Sequence, residues 1–429
     1  MYAETVKFPQ MTMVKQIINQ PAIEDVKSAS QKALQQINVS ARIKPGEKVA
    51  ITVGSRGIAN LKTITEILID TVRQAGGVPY ILPAMGSHGA GTAEGQKEML
   101  AALGISEETL HVPILACGES SQIGTTPSGI PVYVNDSVLP GKIDKVILFN
   151  RVKEHTEFEG DIESGIHKIC AIGIGNPKGA LTVHQYALDV GYEKAITEAG
   201  GYIIKHLPVA FAFATVENYY HKTAYIQAML PDQIEEEEKK LLKLAKSTLG
   251  KIPFDEVDVL IVDEMGKNVS GSGMDTNVIG RIMVFGQKEP SKPVIKRIVV
   301  LDTTEESHGM ATGIGLADFT TKKLIDKLDS WPTYFNCVTA QSPEKGRLPI
   351  YFATEKESIG AALTCIGSTP AEKARVVHIQ NTNEVRFIEI SESLMKEAQA
   401  KPNLEILEEL KPMQFDETGS IIKIMDRQK

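Results

Sequence analysis

The chain has 429 residues, is 42% hydrophobic and 23% charged, and carries a formal net charge of −8. This is the composition of an ordinary globular protein long enough for two or three domains. It supplies no basic surface for nucleic acid or an anionic membrane, so neither is expected as a partner. Apolar runs are broken by charge, Gly or Pro within about a dozen residues, too short to span a bilayer. The opening Met1-Tyr-Ala-Glu-Thr-Val-Lys lacks the basic-then-apolar layout of a signal peptide, and a cytoplasmic location is expected. Four cysteines, Cys117, Cys170, Cys337 and Cys365, include no Cys-x-x-Cys pair, which argues against a zinc ribbon or an iron–sulfur cage. They read as reduced, mostly buried thiols.

In chain order, Lys48–Gly54 reads as a buried strand. Leu61–Ala75 has helical periodicity, with Leu61, Ile64, Ile67, Leu68 and Val72 on one face, and Gly76-Gly77 ends it. Val78–Leu82 is the next strand. Thr92–Leu103 follows as a helix with Thr92 as a possible N-cap, and Val112–Ala116 and Lys145–Phe149 are further strands. Gln233–Leu249 is a charged helix, read as a solvated connector between domains. The pattern then restarts, with strands at Val257–Val262 and Arg297–Leu301 and a helix at Ala317–Leu328. Arg375–His378 and Val385–Ile390 form a hairpin across Asn381–Asn383. Repeated strand–helix units predict an α/β protein whose mostly parallel or mixed sheets are flanked by helices. The expected division is residues 1–250 and 251–429, with the site in the cleft between the domains.

Chemistry concentrates in Gly-rich loops. Gly54-Ser-Arg-Gly57 directly follows a strand; such a turn frees backbone N–H groups for an anion, and Arg56 can grip a carboxylate or phosphate. Gly86-Ser-His-Gly-Ala-Gly91 places His88 beyond the next strand. His155 lies in Lys153-Glu-His-Thr-Glu-Phe-Glu-Gly160, beyond a third. Open α/β sheets put ligands at such strand ends, and imidazole there can act as acid, base or metal ligand. Lys168 sits in Gly165-Ile-His-Lys168. His184 comes sixteen residues later. Gly266-Lys-Asn-Val-Ser-Gly-Ser-Gly273 combines Lys267 with Ser270, Gly271 and Ser272, a composition that forms an anion nest. It is no P-loop, because the lysine precedes the glycines. Gly173-Ile-Gly175 and Gly313-Ile-Gly315 begin no dinucleotide fingerprint. No Gly-x-Ser-x-Gly elbow, His-Glu-x-x-His helix or Walker sequence occurs.

Taken together, these segments resemble the nickel-pincer lactate racemase family over roughly residues 45 to 285. That family has a strand-end Arg loop, then a Gly-Ser/Thr-His segment, a second His in a Gly-flanked loop, a lysine, and a third His sixteen residues after the lysine. Here those positions are Arg56, His88, His155, Lys168 and His184. The resemblance implies a nickel-pincer nucleotide, a pyridinium-3-thioamide-5-thiocarboxylic acid mononucleotide carrying nickel, tethered at Lys168. It implies His184 as the nickel ligand and His88 and His155 as the acid/base pair. Ser55, Arg56, Ser270, Gly271 and Ser272 would contact the cofactor, and Arg56 and Lys267 the substrate carboxylate. The implied activity is racemisation or epimerisation at C2 of a 2-hydroxy acid, with cofactor-biosynthesis proteins as transient partners.

Two positions depart from the lactate racemase pattern. Val53 stands where an acidic residue precedes the arginine, and Gly57 where proline follows it. The loop from His155 to Lys168 is also about three residues longer. These changes touch the walls of the site, so a larger acid, such as a sugar acid epimerised at C2, is expected as readily as lactate. Two other readings use the same residues. One is a non-catalytic protein that binds a phosphorylated small molecule through its Gly/Ser nests. The other is a metal-dependent hydrolase with His88, His155 and His184 as ligands. Only the first reading requires Lys168.

Overall fold

A computed structural model describes residues 6–424. The chain forms two compact units, one of residues 20–249 and the other of residues up to 19 together with those from 250 onward. The division departs from a single cut at 250 in one respect. Strand β1 (Gln10–Gln16), whose residues are mostly buried, pairs antiparallel inside the second unit's sheet. Hydrogen-bonded strand partners, and not nearness in sequence, place it there.

In the first unit, β2 (Lys48–Val53), β3 (Val78–Pro83), β6 (Lys145–Arg151), β7 (Val209–Glu217) and β8 (Thr223–Met229) form a sheet in the order β3-β2-β6-β7-β8. The first four run parallel, and β7–β8 is antiparallel. Strands covered on both faces are apolar throughout, as in the Lys48–Val53 segment, where every residue after the lysine is buried. Val49, Ile51, Ile81, Phe149, Phe211 and Phe213 pack with Ile64 and Leu68 of the Leu61–Gln74 helix in one core. A separate hairpin, β4 (Ser120–Thr125) with β5 (Pro131–Asn135), lies off this sheet. The segment 112–116 is not a strand: Ile114 makes only an isolated parallel bridge to Ile81. Pro113 has no N–H to give a ladder there.

The second unit is built on a larger mixed sheet. β9 (Glu256–Val262), β10 (Val294–Val300), β11 (Phe319–Thr321), β12 (Ile350–Phe352) and β13 (Val376–Asn381) are parallel. β14 (Glu384–Ser391), β1, β15 (Leu404–Ile406) and β16 (Lys411–Pro412) extend it antiparallel. The β13–β14 hairpin matches the expected pair. The helix expected at 317–328 is instead a short strand followed by the Lys322–Lys327 helix. Phe319-Thr-Thr321 favours a strand, and the Thr321 side chain accepts from Leu324 N–H as the helix cap. Among the described residues, no helix is long and apolar enough to cross a membrane.

A charged triad is buried in the second unit. His378 on β13 is fully buried, with Nδ1 2.8 Å from Glu389 of β14 and Nε2 2.7 Å from Asp263 just past β9. Burial works against the imidazolium, but the two carboxylates outweigh it and raise the pKa to about 9. Because this lies above the ordinary value of 6.5, the stabilisation is complete below about pH 6.5 and is lost as pH rises through about 9. His378→Gln should therefore destabilise the second unit by about 3–5 kcal/mol at pH 6. Denaturant titrations should show the gap from wild type closing above pH 9; a gap independent of pH would mean the histidine is neutral in the fold.

Candidate active site

Three loops leave the carboxyl ends of neighbouring parallel strands. Ser55 and Arg56 follow β2, His88 follows β3, and His155 follows β6, and the sheet order β3-β2-β6 sets these loops side by side. A fourth element, the Ile166–Lys168 turn, is fixed to the end of β6 where Asn150 Nδ2 donates to Gly165 O at 2.7 Å. It runs into a π-helical stretch, Ile169–Ile174. There Gly173 O accepts from Gly86 N–H of the His88 loop at 3.1 Å. A Cβ on Gly173 would lie 2.7 Å from Ala84 O, so this close approach requires glycine. The Asn176–Val190 helix, with Pro177 in its first turn, then carries His184.

His155 is buried and doubly held. Its backbone N–H donates to Glu163 Oε2 at 2.7 Å, and its Nδ1 accepts from Glu157 N–H at 3.1 Å. A ring nitrogen that accepts from an amide carries no proton, so the neutral imidazole has its proton on Nε2. Nε2 lies 2.7 Å from Lys168 Nζ. The ring therefore donates to the lysine, and the lysine must offer a lone pair, which only the neutral amine has. The electrostatics lean the same way, with the neutral amine the main form above about pH 8. Loss of hydration, more than any other influence, lowers the Lys168 pKa to about 8; Lys153 and Arg56 add to this and Glu157 opposes it.

An aromatic run joins His155 to His184. The His155 ring lies over Phe158 at 4.6 Å, Phe158 stacks on Tyr192 at 5.6 Å, and Tyr192 meets His184 edge-on at 6.1 Å. His184 Nδ1 is buried without a hydrogen-bond partner. Desolvation, together with the charge of Lys168, lowers the His184 pKa against the pull of Glu157, so its ring is kept neutral. An orphaned, neutral imidazole nitrogen is a donor atom for a borderline metal ion. Among the described residues no three His, Cys, Asp or Glu side chains converge as a metal-holding cluster. This removes the support for His88, His155 and His184 as one ligand set, as the hydrolase reading requires.

The other expected residues are placed as follows. His88 is exposed, and its Nδ1 lies 2.5 Å from Ser55 Oγ, so Ser55 orients a histidine. Arg56 is exposed along its side chain, yet desolvation of its guanidinium and then the charge of Arg151 lower its pKa. Lys267, Ser270, Gly271 and Ser272 belong to the second unit. There Lys267 Nζ donates to Gly271 O at 2.8 Å and to Asn336 Oδ1 at 2.9 Å, and Ser272 Oγ accepts from Lys345 at 3.0 Å. Three carboxylates at the first unit's site were not anticipated. Glu163 is buried against Lys246 at 2.6 Å and takes the His155 N–H. Glu157 acts on both Lys168 and His184. Glu238 holds the turn before Lys168. Only Glu238 left a sequence signal. With Ile234, Leu241, Leu242, Ala245 and Thr248 it falls on one buried helix face, so the solvated-connector reading of that helix is corrected.

Residues 4–194 match the family model for the lactate racemase N-terminal domain. The match spans Arg56, His88, His155, Lys168 and His184 and ends before Lys267. The fold is that of the lactate racemase apoprotein from Thermoanaerobacterium thermosaccharolyticum, at 13% identity and a TM-score of 0.54, covering 86% of this chain and 94% of the other. A Thermotoga maritima protein aligns at 16% identity over 82% of this chain and 92% of its own, with a TM-score of 0.49. No curated protein matches the sequence. Within the matched segment, the lowered Lys168 pKa makes a direct prediction. Acylation of Lys168 by an amine-directed reagent, followed by peptide mass spectrometry, should rise with pH through a midpoint near 8. Exposed lysines should titrate about two units higher, and a Lys168 midpoint among theirs would refute the neutral pairing with His155.

Proposed function

We propose that the protein racemises or epimerises a 2-hydroxy acid at C2, using a nickel-pincer nucleotide held by Lys168 and His184. The observation that carries this reading is the pairing of a lysine amine of lowered pKa with His155, near an imidazole whose buried Nδ1 has no hydrogen-bond partner. The two groups fit the cofactor separately. A neutral amine is the form of lysine that can be acylated, and an unpartnered imidazole nitrogen can complete the coordination of a nickel ion. When bound, the pyridinium nucleotide supplies an acceptor for the C2 hydrogen as hydride.

The chain's own residues supply binding and proton transfer. Acylation of Lys168 consumes the lone pair that His155 Nε2 now serves, and so frees that ring nitrogen for a substrate hydroxyl. For His155 to take the hydroxyl proton of one enantiomer, its Nε2 must be unprotonated, so the ring proton moves to Nδ1 and the contact with Glu157 N–H gives way. His88, oriented by Ser55, serves the other. Each returns a proton in the reverse direction, so one base on each face of C2 is enough for inversion. Such general base help is worth about 10²–10⁴ in rate. Arg56 holds the carboxylate. The aromatic wall of Phe158 and Tyr192 keeps water from the reacting face. A sugar acid stands beside lactate as the substrate class, because Gly57 replaces a rigid residue next to Arg56; Val53, by contrast, is fully buried in the core and lines no wall of the site.

Protein made with the cofactor pathway present should carry nickel and a covalent adduct at Lys168. Lys168→Ala should lose both, and His184→Ala should keep the adduct while nickel per chain falls. His88→Ala and His155→Ala should keep nickel and lose about 10²–10⁴ in turnover in both directions. Intact mass, metal analysis and epimerisation assays on a panel of 2-hydroxy acids check this. An active Lys168→Ala protein would end the proposal.

A further inference from the structure

The turn that presents Lys168 lacks the usual means of holding a helix start. The first N–H groups of a helical turn have no partner within it and are ordinarily capped by a side chain at the preceding position. Here that position is Gly165, which has none to offer. The missing acceptor comes from far along the chain. Glu238, on the Ile234–Thr248 helix, takes the His167 N–H on Oε2 at 3.1 Å, and the same oxygen lies 2.7 Å from His167 Nδ1. Both side chains are buried, at 3% exposure for His167 and 1% for Glu238.

Two glycines make room for this grip. A Cβ on Gly165 would lie 2.1 Å from Glu238 Oε1, and one on Gly200, in the Tyr192–His206 helix, would lie 2.5 Å from His167 O. The residue before Lys168 is thus gripped by a carboxylate on one side and pressed by a bare helix backbone on the other. A buried hydrogen-bonded pair of this kind contributes little net stability compared with well-packed apolar groups. What it does supply is one permitted geometry.

We propose that Glu238 is a positioning residue for Lys168, clamping the His167 backbone and ring so that the neighbouring amine is held against His155. The proposal rests on the reading of Lys168 as the cofactor tether. The charged or titratable groups around the amine include His155, His184, Glu157, Lys153 and Arg56, and those around the His167 ring include Glu238 and Glu235. Without the clamp the turn is free to rotate, and Lys168 regains water and its proton.

The test compares wild type with Glu238→Gln. Gln keeps the size and an amide oxygen but removes the negative charge, so both hydrogen bonds to His167 are weakened. The readout is the rate at which an amine-directed acetylating reagent modifies Lys168, measured on its peptide by mass spectrometry at pH 8 and pH 11, with exposed Lys142 as internal standard. At pH 8 the wild-type amine is about half neutral. In Glu238→Gln the Lys168 rate should fall tenfold or more at pH 8 and return towards wild type at pH 11, while Lys142 is unchanged. Glu238→Asp, which keeps the charge but shortens the reach, should give a smaller loss and carries the test if the Gln variant does not fold. A variant that melts earlier but acetylates Lys168 at the wild-type rate would make Glu238 merely structural and overturn the proposal, as would failure of both variants to fold. The tether is read separately, from the adduct on wild type made with the cofactor pathway. No adduct there, with the acetylation loss still present, would remove the tether and leave the clamp.

Discussion

Everything in the candidate site depends on keeping one amine out of water. A lysine is charged by default, and a charged Lys168 could neither accept a hydrogen bond from His155 nor react with an electrophile. Loss of hydration is the dominant influence on it, and the nearby positive charges of Lys153 and Arg56 push in the same direction. Glu157 opposes them and fails to restore the ordinary value. The same local desolvation keeps His184 neutral. Desolvation thus favours the uncharged form of two different nitrogens, on Lys168 and on His184.

The fold delivers the site through adjacency. Three parallel strands in the order β3-β2-β6 end side by side, so loops from residues about thirty to a hundred apart become neighbours without any long-range design of the loops themselves. The π-helical stretch after Lys168 extends the arrangement. Its wider turn brings Gly173 to the His88 loop. An insertion of this type within a helix is commonly found at functional sites.

Much of this was legible in the sequence because two signals coincide there: an apolar run followed at once by glycines and a basic residue. That pattern marks a parallel strand and its exit loop together, and it located Arg56 and His88; His155 was found by its place beyond a strand in a loop whose glycine comes only at Gly160. Lys168 and His184 became visible through spacing and resemblance. The carboxylates escaped for definite reasons. Glu157 and Glu163 sit in an irregular loop with no periodicity to show which side faces inward. Glu238 lies within Glu235–Lys240, where charge density suggests solvent, although helical phase puts it on the buried face. The Phe319–Thr321 strand was masked because a three-residue strand runs straight into a helix capped by its own last residue. β1 could not be assigned to its sheet, because pairing partners several hundred residues away leave no local trace.

That last feature has a consequence for how the protein is made. β1 pairs with strands formed from residues 384 onward, and its Met11, Met13 and Val14 are buried. At a synthesis rate of about 5–20 residues per second, β1 leaves the ribosome some tens of seconds before those partners exist. The unit of residues 20–249 contains all of its own strands and can close while translation continues. β1 meanwhile is an apolar strand with both edges open, the kind of segment that pairs with whatever strand it meets first. Biosynthesis thus imposes a waiting period on the N-terminal strand, and a holding chaperone that covers it would be most useful during that interval.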